Sequence, residues 1–155
     1  MNSVAKLLSV NDVLLDLNVR NKEELFEAVG RHWEERHAMV AQEVVNSLNA
    51  REKMGSTGLG QGVAIPHARV KDLTNAVAAF VRLKSPIDFD SPDGDPVACC
   101  FVLMVPVQAT EEHLNILADV AEMLSNAEFR ERLRATASSN AVHQLISNWR
   151  RPFSD

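Results

Sequence analysis

Val97-Ala98-Cys99-Cys100-Phe101-Val102-Leu103-Met104-Val105 is an unbroken apolar run. Most of its residues are β-branched, aromatic or small, and no polar residue alternates with them. Such a run suits a strand buried on both faces, so it is expected to be the central strand of a covered sheet. Carried on through Pro106 to Val107, it is still far too short to span a bilayer. Cys99 and Cys100 are neighbours, and neighbours on a strand point to opposite faces. A disulfide between them is geometrically poor, and metal-site spacing such as CxxC is absent. They read as two small core residues in a reducing compartment.

Outward from this run the chain mixes helices and strands. Residues 85–96 (SPIDFDSPDGDP) are turn chemistry almost throughout, and residues 77–83 read as a second buried strand. Thr110 is expected to cap a helix carrying Leu114, Leu117, Ala118, Ala121 and Leu124. Two amphipathic helices follow, one bearing Phe129 and Leu133, the other Val142, Leu145, Ile146 and Trp149. On the N-terminal side, Val13, Leu14, Leu15 and Leu17 suggest a short first strand. Asn21 with Glu24 starts a helix over about 21–37, with Leu25, Phe26, Val29 and Trp33 on one face. A second helix carries Val44, Val45 and Leu48 and ends near Arg51. Residues 54–62 read as a glycine-rich loop, and Val63-Ala64-Ile65 as a short strand stopped by Pro66. The expected fold is an α/β single-domain sandwich over residues 1–155, a mixed central β-sheet flanked by helices.

Composition narrows the function. The chain has 155 residues, 46% hydrophobic and 24% charged, which supports one ordinary globular core. A net charge of −5, no Tyr and only 5% aromatics argue against a nucleic-acid surface. The start, MNSVAKLLSVND, lacks a signal-peptide apolar region. The protein is read as cytoplasmic, with no membrane insertion and no nucleic-acid partner.

The chemistry concentrates in REKMGSTGLGQGVAIPHARVK, residues 51–71. Four of the six glycines lie here: Gly55, Gly58, Gly60 and Gly62. Arg51, Lys53, Arg69 and Lys71 against Glu52 give this stretch +3, so the −5 of the chain divides into +3 here and −8 elsewhere. Glycines let backbone N–H groups approach an anion, and Arg or Lys adds charge-assisted hydrogen bonds. Ser56 and Thr57 add hydroxyl donors. GxxxxGK[ST] is absent, and Gly58-Leu-Gly60-Gln-Gly62 falls one residue short of GxGxxG, in the wrong order of elements for dinucleotide binding. A flexible surface loop with solvated charges accounts for the glycines equally well. His67 adds a nucleophile: a neutral imidazole attacks phosphorus at neutral pH, and its phosphoramidate is a reactive phosphoryl donor.

The run Arg51-Glu-Lys-Met-Gly-Ser-Thr-Gly58 with Ala64-Ile65-Pro66-His67 closely resembles the phosphorylation site of enzyme IIA domains of the fructose/mannitol class of the bacterial phosphotransferase system. The resemblance is strongest to the stand-alone, nitrogen-type enzyme IIA. It extends to Pro86-Ile87-Asp88-Phe89-Asp90, to Phe101-Val-Leu-Met-Val-Pro106 and to Glu112-His113-Leu114, and so to nearly the whole chain. It implies that His67 carries a phosphoryl group on Nε2, that His113 supports it, and that Arg51 stabilises the phosphate. It implies a loop of Gly55, Ser56, Thr57 and Gly58 around the phosphate, with no cofactor and no metal. Ala68 follows the histidine where nitrogen-type members often have Gly. The implied partner is a histidine phosphocarrier protein that donates the phosphoryl group. The regulated target is unspecified, with potassium transport or a sensor kinase as areas the family suggests. The expected role is a stoichiometric phosphohistidine intermediate in nitrogen regulation. A sugar enzyme IIA that passes phosphate to a transporter, and a non-phosphorylated binding module, are the alternatives.

His113 also has a reading of its own. With Thr110 as N-cap it lies in the first helical turn, where the helix dipole disfavours imidazolium, so a neutral ring could orient a phosphate. Other polar groups read as structural. His32 and His37 are five apart, not the four of HExxH, and are taken as a solvated helix face. Asp88, Asp90, Asp93 and Asp95 lack EF-hand spacing and are taken as turn formers. Arg130, Arg132 and Arg134 are taken as a solvated basic cluster.

Overall fold

The computed structural model describes residues 2–108 and 110–150. Among these, a 3-10 turn (Val10–Asp12) leads into β1 (Val13–Leu17), α1 (Lys22–His37) and α2 (Ala41–Lys53). Then come β2 (Gly58–Gly60), β3 (Val63–Ala64), β4 (His67–Val70), β5 (Val77–Ile87) and β6 (Val97–Pro106). Three helices close the chain: α3 (Glu111–Ser125), α4 (Ala127–Ala135) and α5 (Ser139–Ser147). The strands form one mixed sheet in the order β1-β5-β6-β3-β2, with β4 also on β6. The architecture is the expected α/β sandwich. Among the described residues no helix is long and apolar enough to cross a membrane.

The 97–105 run is the central strand. β6 pairs antiparallel with β5 on one side and parallel with β3 and β4 on the other. Its side chains alternate between two cores. Cys99, Phe101 and Leu103 pack with Ile116, Met123, Leu133 and Ile146 from α3, α4 and α5. Cys100, Val102 and Met104 pack with Phe26, Trp33, Val44 and Leu48 from α1 and α2. The adjacent cysteines therefore serve opposite faces as free thiols. Phe80 and Phe101, directly opposed across β5 and β6, meet edge to face at 5.2 Å.

Several boundaries differ from the expectation. Residues 85–96 are not turn throughout: β5 runs on to Ile87, through a register irregularity between Arg82 and Ile87. Pro86 lies in that irregular stretch, where its missing N–H costs no regular ladder bond. The glycine-rich segment contains β2, which pairs with β3. Strand structure is not ended by Pro66 but resumes at His67. The offset to β6 is unchanged across the proline, with Val63 opposite Cys99 and His67 opposite Leu103. The Pro66 carbonyl keeps the edge joined by accepting from Leu103 N–H at 2.9 Å. Trp149 lies beyond the end of α5, still buried.

Two surface readings also change. The face carrying His32 and His37 is solvated only in part: His37 is exposed and His32 half-buried, and both rings meet Asp12, through Nε2 at 3.4 Å and 2.8 Å, with Arg36 Nε at 3.3 Å. Asp12 is a buried carboxylate, and cationic or hydrogen-bonding partners offset the cost of burying it. Arg130 donates to the Leu124 carbonyl near the end of α3, and Arg134 donates to the Gln61 carbonyl at 2.6 Å. The basic cluster therefore ties α4 to its neighbours. The aspartates do form turns: Asp88 accepts from Asp90 N–H, and Asp93 accepts from Asp95 N–H.

Candidate functional site

His67 opens β4, directly after Ile65-Pro66. Proline confines the preceding residue to extended backbone, so the Ile65 carbonyl has a restricted direction. It meets His67 Nδ1 at 2.7 Å. A carbonyl only accepts, so Nδ1 carries the proton and Nε2 holds the free lone pair. Among the described residues Nε2 makes no hydrogen bond, and the ring is half-buried. A nucleophilic nitrogen held at one edge by its own backbone is what phosphoryl acceptance requires.

Arg51 lies in the last turn of α2 and donates Nη1 to the Gly55 carbonyl at 2.9 Å. That bond engages one edge of the guanidinium fork and fixes its orientation. Ser56 Oγ donates to the Phe89 carbonyl at 2.5 Å and accepts from Gly58 N–H at 3.0 Å. Thr57 is buried. Its hydroxyl donates to Glu52 Oε1 at 2.6 Å and its N–H to Glu52 Oε2 at 3.1 Å. Both hydroxyl protons are thus committed, that of Ser56 to Phe89 and that of Thr57 to Glu52, and these bonds set the shape of the loop. Gly58 is required by space, because a Cβ there would strike Ser91 Oγ. Gly62 is required by conformation, at φ +79°, and a Cβ would lie 2.6 Å from Arg134 Nη2.

His113 is the third residue of α3. Its Nδ1 accepts from the Thr110 N–H at 3.1 Å, which closes a capping box at the helix start. An accepting Nδ1 leaves the ring proton on Nε2. His67 and His113 are therefore held in opposite tautomers: one presents a lone pair at Nε2, the other an N–H. Among the described residues the two rings do not hydrogen-bond to each other.

The structure thus joins Arg51, at the end of α2, to the loop that carries Gly55, Ser56 and Thr57 into Gly58 of β2. It ties that loop to the His67 segment through a bond from Ile65 N–H to the Thr57 carbonyl, 3.1 Å. Three groups hold this arrangement: Glu52 and Lys22, which were not singled out from sequence, and Asp93, which was read only as a turn former. Lys22 Nζ pairs with Glu52 at 2.9 Å and lies 4.7 Å above the Phe89 ring. Asp93 accepts from Gln61 N–H at 2.8 Å, and this bond, with that from Asp95 N–H, holds its carboxyl below the ordinary value. The one signal was Glu52 itself, the lone acid in a basic stretch.

Residues 6–149 match the family model for EIIA 2 of the phosphoenolpyruvate-dependent sugar phosphotransferase system. A nitrogen regulatory protein of Pseudomonas aeruginosa is 47% identical over 106 residues, 68% of this chain and 69% of that protein. The crystal structure of nitrogen regulatory protein IIA-Ntr from Neisseria meningitidis superposes with a TM-score of 0.88 at 41% identity, covering 92% of this chain and 98% of that one. The mannitol IIA of Escherichia coli, at 22% identity and a TM-score of 0.75 over 90% of this chain and 98% of its own, shares the fold. With its family model spanning nearly the whole chain and its fold matched by a nitrogen-regulatory relative, this protein belongs to the EIIA-2 family of the phosphotransferase system.

Proposed function

We propose that this enzyme IIA is a phosphohistidine carrier of the nitrogen-type branch, with His67 as the phosphoryl acceptor. The observation that carries the reading is the 2.7 Å contact between His67 Nδ1 and the Ile65 carbonyl, which leaves Nε2 as the nucleophile. The lone pair of Nε2 attacks the phosphorus of a phosphohistidine on a small phosphocarrier protein, in line. The new N–P bond forms as the donor's N–P bond breaks, and the donor imidazole leaves with its electron pair. The proton on Nδ1 stays in place, so the positive charge that develops on the ring faces the Ile65 carbonyl. Charge on the transferring oxygens is met by the Arg51 guanidinium, the loop at Gly55–Gly58 and the Nε2–H of His113, as positioned donors do in other phosphoryl transfers. The Ser56 and Thr57 hydroxyls act by shaping that loop.

Phosphorylation adds up to about two negative charges to a segment of net charge +3. That change, from +3 to about +1, is large enough to change which partner surface docks, which supports a regulatory role. The nitrogen regulatory names of the relatives favour this role over sugar transport. The test is incubation with enzyme I, the nitrogen-type phosphocarrier and labelled phosphoenolpyruvate. Acid-labile, alkali-stable label that is lost in His67→Ala is the expected result. Undiminished labelling of that variant removes the proposal. Rapid onward transfer to sugar through a sugar-specific membrane component would favour the sugar-transport role, and no labelling by any phosphocarrier would favour a contact-only module.

A further inference from the structure

We infer that Glu52 is a positioning residue for His67, acting through Thr57 and Ile65 to fix which nitrogen of the imidazole is free; this rests on the reading of His67 as phosphoryl acceptor.

The path is continuous. Glu52 takes both donors of Thr57, the hydroxyl on one carboxylate oxygen and the backbone N–H on the other. The Thr57 backbone therefore has no freedom to slide or rotate. Its carbonyl accepts from Ile65 N–H, one rung beyond the pairing of Gly58 with Ala64 between β2 and β3. Ile65 precedes Pro66, so its backbone is confined to the extended region and its carbonyl direction follows from where its N–H is held. That carbonyl takes the Nδ1 proton of His67. A displacement at Thr57 is carried to the acceptor that selects the tautomer.

The carboxylate is built to hold still. The Glu52 side chain is only 7% exposed, although it lies in the last turn of α2 next to the exposed Lys53 and Met54. A carboxylate this buried needs both a counter-charge and hydrogen bonds. Lys22 supplies the charge from the first turn of α1, and it is held in turn by the Phe89 ring and by Asp90 at 3.4 Å. The Phe89 carbonyl also accepts from Ser56, so α1 and the 88–96 turn grip the loop on both sides of Thr57. Nothing in folding the sheet alone requires this arrangement, because β2 has other fastenings at Asp93 and Arg134.

The test uses the full-length protein with ¹⁵N-labelled histidine. Imidazole nitrogen shifts report the tautomer of His67 with no donor present, and uptake of phosphoryl from the phosphocarrier is timed separately. Glu52→Ala is expected to cut the rate constant for uptake by about 10- to 100-fold, the scale of a small misplacement of a reacting group. KM for the phosphocarrier is expected to stay unchanged, and the His67 shifts are expected to move toward a mixture of tautomers. Thr57→Val, which replaces the hydroxyl by a methyl and keeps the backbone N–H, gives a smaller change in the same direction and serves where Glu52→Ala does not fold. Thr57→Ser restores the wild-type rate and shifts. Wild-type rate and shifts in the folded Glu52 or Thr57→Val variant overturn the inference, and so does a slower rate with unaltered shifts. Failure of the wild type to be labelled at all would instead remove the acceptor role, while the shifts would still decide the positioning.

Discussion

β6 and the segment from Arg51 to His67 are neighbours in one sheet and are held by different physics. β6 is buried on both faces, with Val97 and Cys99 through Val105 nearly inaccessible. It is held by many small, non-directional contacts to two cores. Up to Gln61 the Arg51–His67 segment meets its neighbours chiefly through a few directional bonds, Glu52 to Thr57, Ser56 to Phe89, Asp93 to Gln61 and Arg134 to Gln61, whereas Val63, Ala64 and Ile65 join the cores. Packing gives β6 its stability but does not aim a polar atom. Discrete hydrogen bonds contribute less to stability, and they determine where Nε2 of His67 and the Arg51 fork point. Changes in β6 should therefore cost stability and spare the geometry, and changes in the clamps should do the reverse.

The largest effect on folding is expected at Phe101→Ala. It removes a fully buried ring and its Phe80 partner contact, costing about 3–5 kcal/mol in urea unfolding, while the folded fraction keeps wild-type His67 shifts. Ser56→Ala should cost only about 1 kcal/mol, yet slow phosphoryl uptake severalfold, because the Phe89 and Gly58 fastenings are lost together. Equal and proportionate losses at both sites would break the contrast.

A smaller effect concerns acid. Asp93 is held below the ordinary carboxylate value by the Gln61 N–H first and the Asp95 N–H second. A lowered carboxyl contributes stability that is present above its unfolded value, near 3.8, and is lost as pH falls through the lower folded value. The Gln61 amide resonance should therefore stay constant from neutral pH down to the ordinary carboxylate range and move below it. Asp93→Asn should abolish that step and lose, at neutral pH, the small stability that the ionised carboxyl contributes. The smallest effect is at the cysteines. Burial pushes the Cys99 thiol up to about 11 and that of Cys100 higher still. Neither should be alkylated in the folded protein at mildly alkaline pH, and both should react on unfolding. Modification of native protein would mean that the sheet opens more readily than its packing implies.

The same contrast explains what was legible in the sequence. β6 announces itself locally, through a run of apolar residues, and the Cys99–Cys100 pair already implied two faces. The α1 start at Asn21 and the His113 position after Thr110 were legible because capping is a matter of three-residue spacing. β4 was not, since His-Ala-Arg-Val becomes a strand only against the edge of β6. The reading of His32 as solvated was incomplete because its partner, Asp12, is twenty residues upstream. Glu52 was counted as one charge among several because Lys22, thirty residues away, is what buries it. The candidate acceptor histidine and its loop could be proposed from sequence, and the long-range groups around them could not.

The most direct test of the account is the position of the phosphoryl group itself. After transfer from the phosphocarrier to protein carrying ¹⁵N-labelled histidine, phosphorus–nitrogen coupling identifies the bonded nitrogen. The account predicts coupling to Nε2 of His67, with Nδ1 still protonated. Coupling to Nδ1 of His67, or to another histidine, would contradict it.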